Sequence, residues 1–171
     1  MALSGGVEML STRNLSVMAG SETIVLSYEP SWPMTLGSQL REQDLRKKFK
    51  APLQRWSPHE IVDAGRTITA CWGAADFEQA KLAIADLDRM LNAFRKERLA
   101  PKIVEEILGI NARERRRWTK DGRLPKSGTG QFKKGQQVFR FYLHPAEGIA
   151  RLAANPKIIA EWREADSKAV D

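Results

Sequence analysis

The sequence predicts a mainly α fold class, with an N-terminal helical module followed by two short helices and a β-hairpin. Three observations lead there. Phe77, Ala80, Ile84, Leu87, Leu91 and Phe94 recur at alternating spacings of 3 and 4, the mark of a long amphipathic helix. Pro101 and Gly109 bracket a short apolar helix, and Asn111 with Glu114 opens a second one. From Lys126 to Tyr142 a polar, Gly-containing turn gives way to alternating β-prone residues.

Taken in order, residues 1–20 are rich in Ser and Gly without periodicity and read as a flexible lead. Thr23 to Tyr28 is a β-prone run closed by Pro30 and Pro33, a candidate lone strand. Ser38 to Lys50 reads as helix, with Leu40, Leu45 and Phe49 near one face. It ends in the basic run Arg46 to Lys50, either a solvated helix end or a second phosphate contact. Ser57-Pro58-His59-Glu60 carries a capping hydroxyl, a proline at the first helical position and a glutamate three residues after the cap. A helix towards Trp72 and Gly73 is expected from it, burying Ile61, Val62, Ile68 and Trp72. The periodic helix follows from Asp76 to about Leu99. Its heptad-type seam covers fewer than three heptads, so burial inside its own bundle and a homodimer through residues 76–99 both stay open. Residues 21–100 thus form the expected helical module, for dimerisation or partner binding, and residues 101–165 a separate domain.

Charge distinguishes the two halves. The 171 residues are 42% apolar and carry a formal net charge of +7. Arg95 to Arg140 alone holds 14 Lys or Arg against 5 Asp or Glu, so one segment owns the basic character and an acidic partner is expected there. Cys71 is the single cysteine, which excludes an intramolecular disulfide and a four-cysteine zinc site. The first twenty residues carry no basic segment followed by an apolar run, and no stretch approaches the roughly 20 apolar residues of a membrane span. A soluble, cytoplasmic protein is the expectation.

The basic segment has its own grammar. In Lys102 to Gly109, Ile103, Val104, Ile107 and Leu108 form an apolar face, Gly109 can take the positive φ that ends a helix, and Ile110 can plug the turn. Asn111 is an N-cap, and Glu114 completes a capping box for the helix Ala112 to Trp118. Two short helices joined by a three-residue turn form a helix-turn-helix. Leu108-Gly109-Ile110-Asn111, Arg116-Arg117-Trp118 and Asp121-Gly122-Arg123-Leu124-Pro125 resemble the DNA-binding domain of MerR-type regulators and phage excisionase-like proteins, over about residues 103–153. The resemblance implies a winged helix-turn-helix: the second helix in the major groove, a β-hairpin wing, and a closing helix. In that order, Lys126 to Gly135 is the wing tip and Gln136 to Tyr142 a returning strand packed through Val138, Phe139, Phe141 and Tyr142. Pro145 to Ala153 is the closing helix. Glu114 stands where the family has Ser or Thr, in keeping with its capping role. Arg115 stands where the family has an apolar residue, its stem long enough to cross the core while its head reaches water or phosphate.

The chemistry of these residues points to duplex DNA. Arg113, Arg116, Arg117, Lys120 and Arg123 lie on or just after one helix, a concentration that repels itself unless an anion neutralises it. Arg113 and Arg117 are assigned to bases or adjacent phosphates, and Arg116 and Arg123 to phosphate. Lys126, Lys133 and Lys134 suit neighbouring phosphates or the minor groove, with Gly128 and Gly130 allowing close approach. Trp118 matches the family's buried tryptophan, and Phe139, Phe141 and Tyr142 read as wing core rather than a platform for single-stranded bases. His59 and His144 read as helix-start residues, and Glu105 and Glu106 are adjacent and so on different faces. No nucleophile elbow, phosphate loop or dinucleotide motif occurs, and no catalysis, metal or cofactor is expected. Trp56, Cys71 and Trp72 are read as core rather than as a ligand cavity. The expected function is sequence-specific binding of double-stranded DNA by a transcriptional regulator. The alternatives are an excisionase, plasmid-maintenance or phage-packaging architectural factor, and a protein- or RNA-interaction module.

Overall fold

Alternation, more than helical periodicity, organises the first half of the chain. The structure, a computed structural model, describes residues 8–9, 12 and 14–168, and divides into two compact units. Unit 1 comprises residues 1–35 and 42–94, unit 2 residues 36–41 and 95–171.

Unit 1 is built on a five-stranded antiparallel sheet, spatial order β1-β2-β3-β5-β4. The strands are β1 (Glu8–Met9), β2 (Ser16–Ala19), β3 (Thr23–Tyr28), β4 (Glu60–Ala64) and β5 (Thr67–Gly73). Between β3 and β4 come the single turn α1 (Trp32–Thr35) and the helix α2 (Gln39–Arg55); a 3-10 turn (Ala74–Asp76) leads into α3 (Phe77–Arg95). One sheet face buries Val17, Ile24, Leu26, Tyr28, Ile68, Ala70 and Trp72. The opposing helices supply Leu45, Phe49 and Leu53 from α2 and Ala80, Ala83, Ile84, Leu87, Leu91 and Phe94 from α3. In the register Ile24 faces Trp72 and Leu26 faces Ala70, so the two central strands present one continuous apolar surface. Tyr28 stacks on Phe49, and burial pushes its hydroxyl pKa up to about 12.

Four expectations are corrected here. The N-terminal half is not a purely helical module, so the chain is mixed α/β. The lead expected over residues 1–20 contains β1 and β2, with residues 1–7, 10–11 and 13 outside the described set. The lone strand at Thr23 is the centre of a sheet, paired on both sides. The helix expected from Ser57 is the hairpin β4–β5, turning at Gly65 with φ of 58°. Its residues explain why. Thr67-Ile68-Thr69 is β-branched throughout, and β5 alternates strictly between half-buried and buried positions. The capping signal was local and lost to a pairing partner; Ser57 itself takes a positive φ of 43°.

The long helix is found, shortened to Phe77–Arg95. Its seam from Ala80 to Phe94 is buried in the core of unit 1, while Phe77 is 38% exposed. That apolar stripe is consumed within the chain and is not a free surface for a homodimer through residues 76–99. Trp72 is fully buried and donates its indole N–H to the Trp56 carbonyl at 3.0 Å, an ordinary core role.

Unit 2 contains α4 (Pro101–Leu108), α5 (Ala112–Lys120), the hairpin β6 (Thr129–Lys134) and β7 (Gln137–Tyr142), α6 (Ala146–Ala153) and α7 (Pro156–Lys168). Its core gathers Leu36, Leu99, Val104, Ile110, Trp118, Leu124, Ala146, Ile149 and Ile159. Paired backbone hydrogen bonds between Leu99 and His144, at 2.8 and 3.0 Å, tie the chain entering α4 to the chain leaving the hairpin. Among the described residues no helix is long and apolar enough to cross a membrane.

Candidate nucleic-acid interface

The turn between α4 and α5 forms as its residues dictate. Gly109 ends α4 in the left-handed region, with φ of 60°, and Ile110 drops into the core. The Asn111 side chain accepts from the Arg113 and Glu114 amides at 2.9 Å each, and Glu114 accepts in turn from the Asn111 amide at 2.8 Å. That reciprocal pair satisfies the donors a helix start leaves open. At 100° per residue, Arg113, Arg116, Arg117 and Lys120 then fall within one stripe about 100° wide. All four are exposed, while Arg115, Trp118 and Thr119 on the opposite face are buried.

The arginines of this segment divide into two classes. Arg113, Arg116 and Lys120 project from the stripe, and no salt bridge engages them among the described residues. The others are tethered. Arg115 lies in the core and donates to Glu105 at 2.9 Å, so its head reaches neither water nor phosphate, contrary to expectation. Burial works against the Glu105 carboxylate, but hydrogen bonds from Arg115 and Lys102 outweigh it and hold its pKa below the usual value. Arg117 pairs with Asp166 at 3.1 Å, and Arg123 is gripped by Asp121 at 2.6 Å and Asp166 at 2.8 Å. Arg123 also lies over the Trp118 and Trp162 rings at 5.6 and 5.9 Å. Arg123 is thus held within the fold as a staple, with 27% of its side chain left exposed. Arg117, assigned to bases, has its charge already answered.

The staple comes from α7, which lies beyond the stretch that carries the family resemblance. Asp166 accepts from the Trp118 indole at 2.8 Å as well as from Arg123, and the Arg123 bond is foremost in holding its carboxyl low. One helical turn earlier, Arg163 donates to Glu114 at 2.7 Å and to the Gly109 carbonyl at 2.9 Å, locking the turn. Trp162 meets Trp118 edge-on at 5.0 Å. Glu106, to which the sequence assigns no role, caps the start of α2: it accepts from the Ser38 hydroxyl at 2.6 Å and from the Gln39 amide at 2.8 Å. His144 stands just before the start of α6, as expected, and is fully buried, its Nδ1 2.7 Å from the Pro125 carbonyl oxygen. Burial lowers its pKa, so the ring is neutral at pH 7.

The wing is a regular hairpin turning at Gly135, with φ of 62°. Its returning strand starts at Gln137, one residue after the expected Gln136, and its first strand from Thr129 lies within the stretch read as the tip. Its base is tied by bonds between Ser127 and Leu143 and between Leu143 and Gly128. The expected packing of its aromatics is corrected. Phe132 is 53% exposed, Phe139 40% and Tyr142 45%, and only Phe141 is half-buried. Lys133, Lys134 and Arg140 are exposed, and Lys126 sits over the Tyr142 ring at 4.6 Å. Arg140 was missed in the sequence, although its place opposite Gln131 follows from the alternation. Between Asp121 and Glu147 the chain has no carboxylate at all.

No protein-family model, curated protein or solved structure matches this chain. The site must be read from its own geometry. Among the described residues no cluster of metal-ligating side chains occurs.

Proposed function

We propose that unit 2 binds double-stranded DNA without catalysing a reaction, as a sequence-specific regulator with α5 in the major groove and the β6–β7 wing on adjacent backbone. The observation that carries this reading is the partition of the cations. Structural arginines are answered by Glu105, Asp121 and Asp166, whereas Arg113, Arg116 and Lys120 share one open stripe without an ion pair among the described residues. Self-repelling charge on a helix held rigid by a capping box and two tryptophans suits a polyanion of regular spacing. Arg113, in the first turn of α5, has the reach for a guanine edge, and Arg116 and Lys120 suit phosphates. Lys126, Lys133, Lys134 and Arg140 extend the same positive surface on the wing.

The test is binding of the full chain to mixed-sequence duplex across a salt series, beside Arg113→Ala/Arg116→Ala. Micromolar binding is expected, with the slope of log Kd against log salt flattened by about 1 in the double variant, for the phosphate that Arg116 no longer neutralises. Absence of duplex binding at low salt overturns the reading and reassigns the surface to a protein or RNA.

A further inference from the structure

Each face of the wing carries a different chemistry. Cross-strand partners place Gly130, Phe132 and Lys134 of β6 on one side with Phe141, Phe139 and Gln137 of β7. Phe132 and Phe139 are stacked at 5.0 Å with 13° between planes, and Phe141 lies 6.1 Å from Phe132. A side chain at position 130 would collide with the Phe141 ring, 2.6 Å from the nearest ring atom, so the glycine makes room for this aromatic row. The other side carries Thr129, Gln131 and Lys133 of β6 with Tyr142, Arg140 and Val138 of β7. Two phenylalanines about half exposed on a two-stranded ribbon forgo part of the burial that would stabilise the fold.

We propose that this phenylalanine row is a wedge that enters the base stack of duplex DNA from the minor groove and bends it. The inference rests on the DNA-binding reading and deepens it, naming what the wing does once α5 is seated. Charge selects the occupant. The wing's cations, without an ion pair among the described residues, and the absence of any carboxylate from Gly122 to Ala146 disfavour a second copy of the same positive surface. They suit a partner that joins negative charge to flat apolar groups, which base pairs flanked by phosphates provide. A minor groove about 6 Å wide does not admit a ribbon passively, whereas apolar side chains driven between base steps open and kink it. The bonds of Leu143 to Ser127 and Gly128 clamp the two arms of the ribbon at its base, and the Leu99–His144 pair ties the outgoing arm to the chain entering α4, so the ribbon can transmit that force.

The experiment is ligase-driven circularisation of mixed-sequence duplexes of about 100 base pairs, shorter than the roughly 150-base-pair persistence length that resists closure. The full chain is compared with Phe132→Ala/Phe139→Ala at protein concentrations that give equal duplex occupancy by gel shift. Both substitutions are on exposed side chains, and the variant's thermal transition checks that the fold is intact. Wild type is expected to raise circularisation about tenfold and the variant to lose that gain, a bending term of about 1.4 kcal/mol. Equal circularisation by both proteins overturns the wedge while leaving duplex binding standing. Self-association abolished by the two substitutions overturns it in favour of a second copy, and tighter binding to single strands overturns it in favour of a stacking platform. Failure of wild type to bind duplex overturns the DNA reading itself.

Discussion

Two hairpins of this protein start from similar local chemistry and meet opposite fates. Both turn at a glycine of positive φ, Gly65 between β4 and β5 and Gly135 between β6 and β7. β5 joins a five-stranded sheet, and Ile68, Ala70 and Trp72 vanish into the core. β6 and β7 pair only with each other and leave Phe132, Val138 and Phe139 in the open. Apolar alternation alone therefore does not say whether a strand face is covered; the number of neighbours does. A ribbon with exposed rings and no carboxylate is the surface proposed above for a partner, while rings buried as Tyr28 and Phe49 are in unit 1 are structure.

The sharpest way to test that contrast is to remove large side chains from each region. Ile68→Ala in β5 is expected to cost about 2–5 kcal/mol and Trp118→Ala in unit 2 about 3–5 kcal/mol, read by denaturant unfolding. Phe139→Ala in the wing should shift stability by only about 0.5 kcal/mol or less. A loss in the wing as large as that in β5 would show that the hairpin is packed in solution and end the comparison.

Next in size is the division among arginines. Arg113→Ala/Arg116→Ala should weaken duplex binding on the order of tenfold at moderate salt while the melting temperature stays within a degree or two. Arg123→Ala should do the reverse first: a lower melting temperature, with binding lost only as unit 2 loosens. Equal loss of binding by both at unchanged stability would make Arg123 a DNA-binding residue after all. A smaller effect is expected at the cap, where Asn111→Ala should destabilise by about 1 kcal/mol, read by chemical denaturation.

The smallest is a pH dependence. His144 has a folded pKa below its unfolded value of 6.5, because burial penalises the charged ring. The unfolded chain thus binds the extra proton first, and stability falls as pH drops below about 6.5. Asp121, Glu114 and Asp166 are held low by Arg123, Arg163 and Arg123 respectively, so their contribution is present at neutral pH and lost only on further acidification. Thermal melts of His144→Gln between pH 7 and 5.5 should show a flatter profile than wild type. An unchanged profile would place the proton elsewhere.

Much of the candidate site was legible in the residues themselves. Gly109, Asn111 and Glu114 announced the turn and the cap, because those interactions close within three or four positions. The exposed stripe of α5 was legible too, since helical geometry alone separates residues 113, 116, 117 and 120 from 115, 118 and 119. The Ser57-Pro58 signal misled for the same reason: it is a local preference, overruled when β5 found β3 across forty residues of sequence. The seam of α3 was correctly seen as apolar, but periodicity does not identify what fills a groove.

What the sequence determined by itself was therefore what depends on short separations: a long helix starting near residue 76, the two short helices joined at Gly109 with their capping box, a hairpin in the wing segment, and the concentration of charge in one segment. Tertiary structure decided which of these surfaces remained free. Asp166 neutralises Arg123 and Arg117 from more than forty positions away, and nothing in the arginines distinguishes them beforehand from Arg113 and Arg116. Ion pairing and burial are properties of neighbours in space. A side chain's identity sets what it can do, and only packing sets what it is left to do.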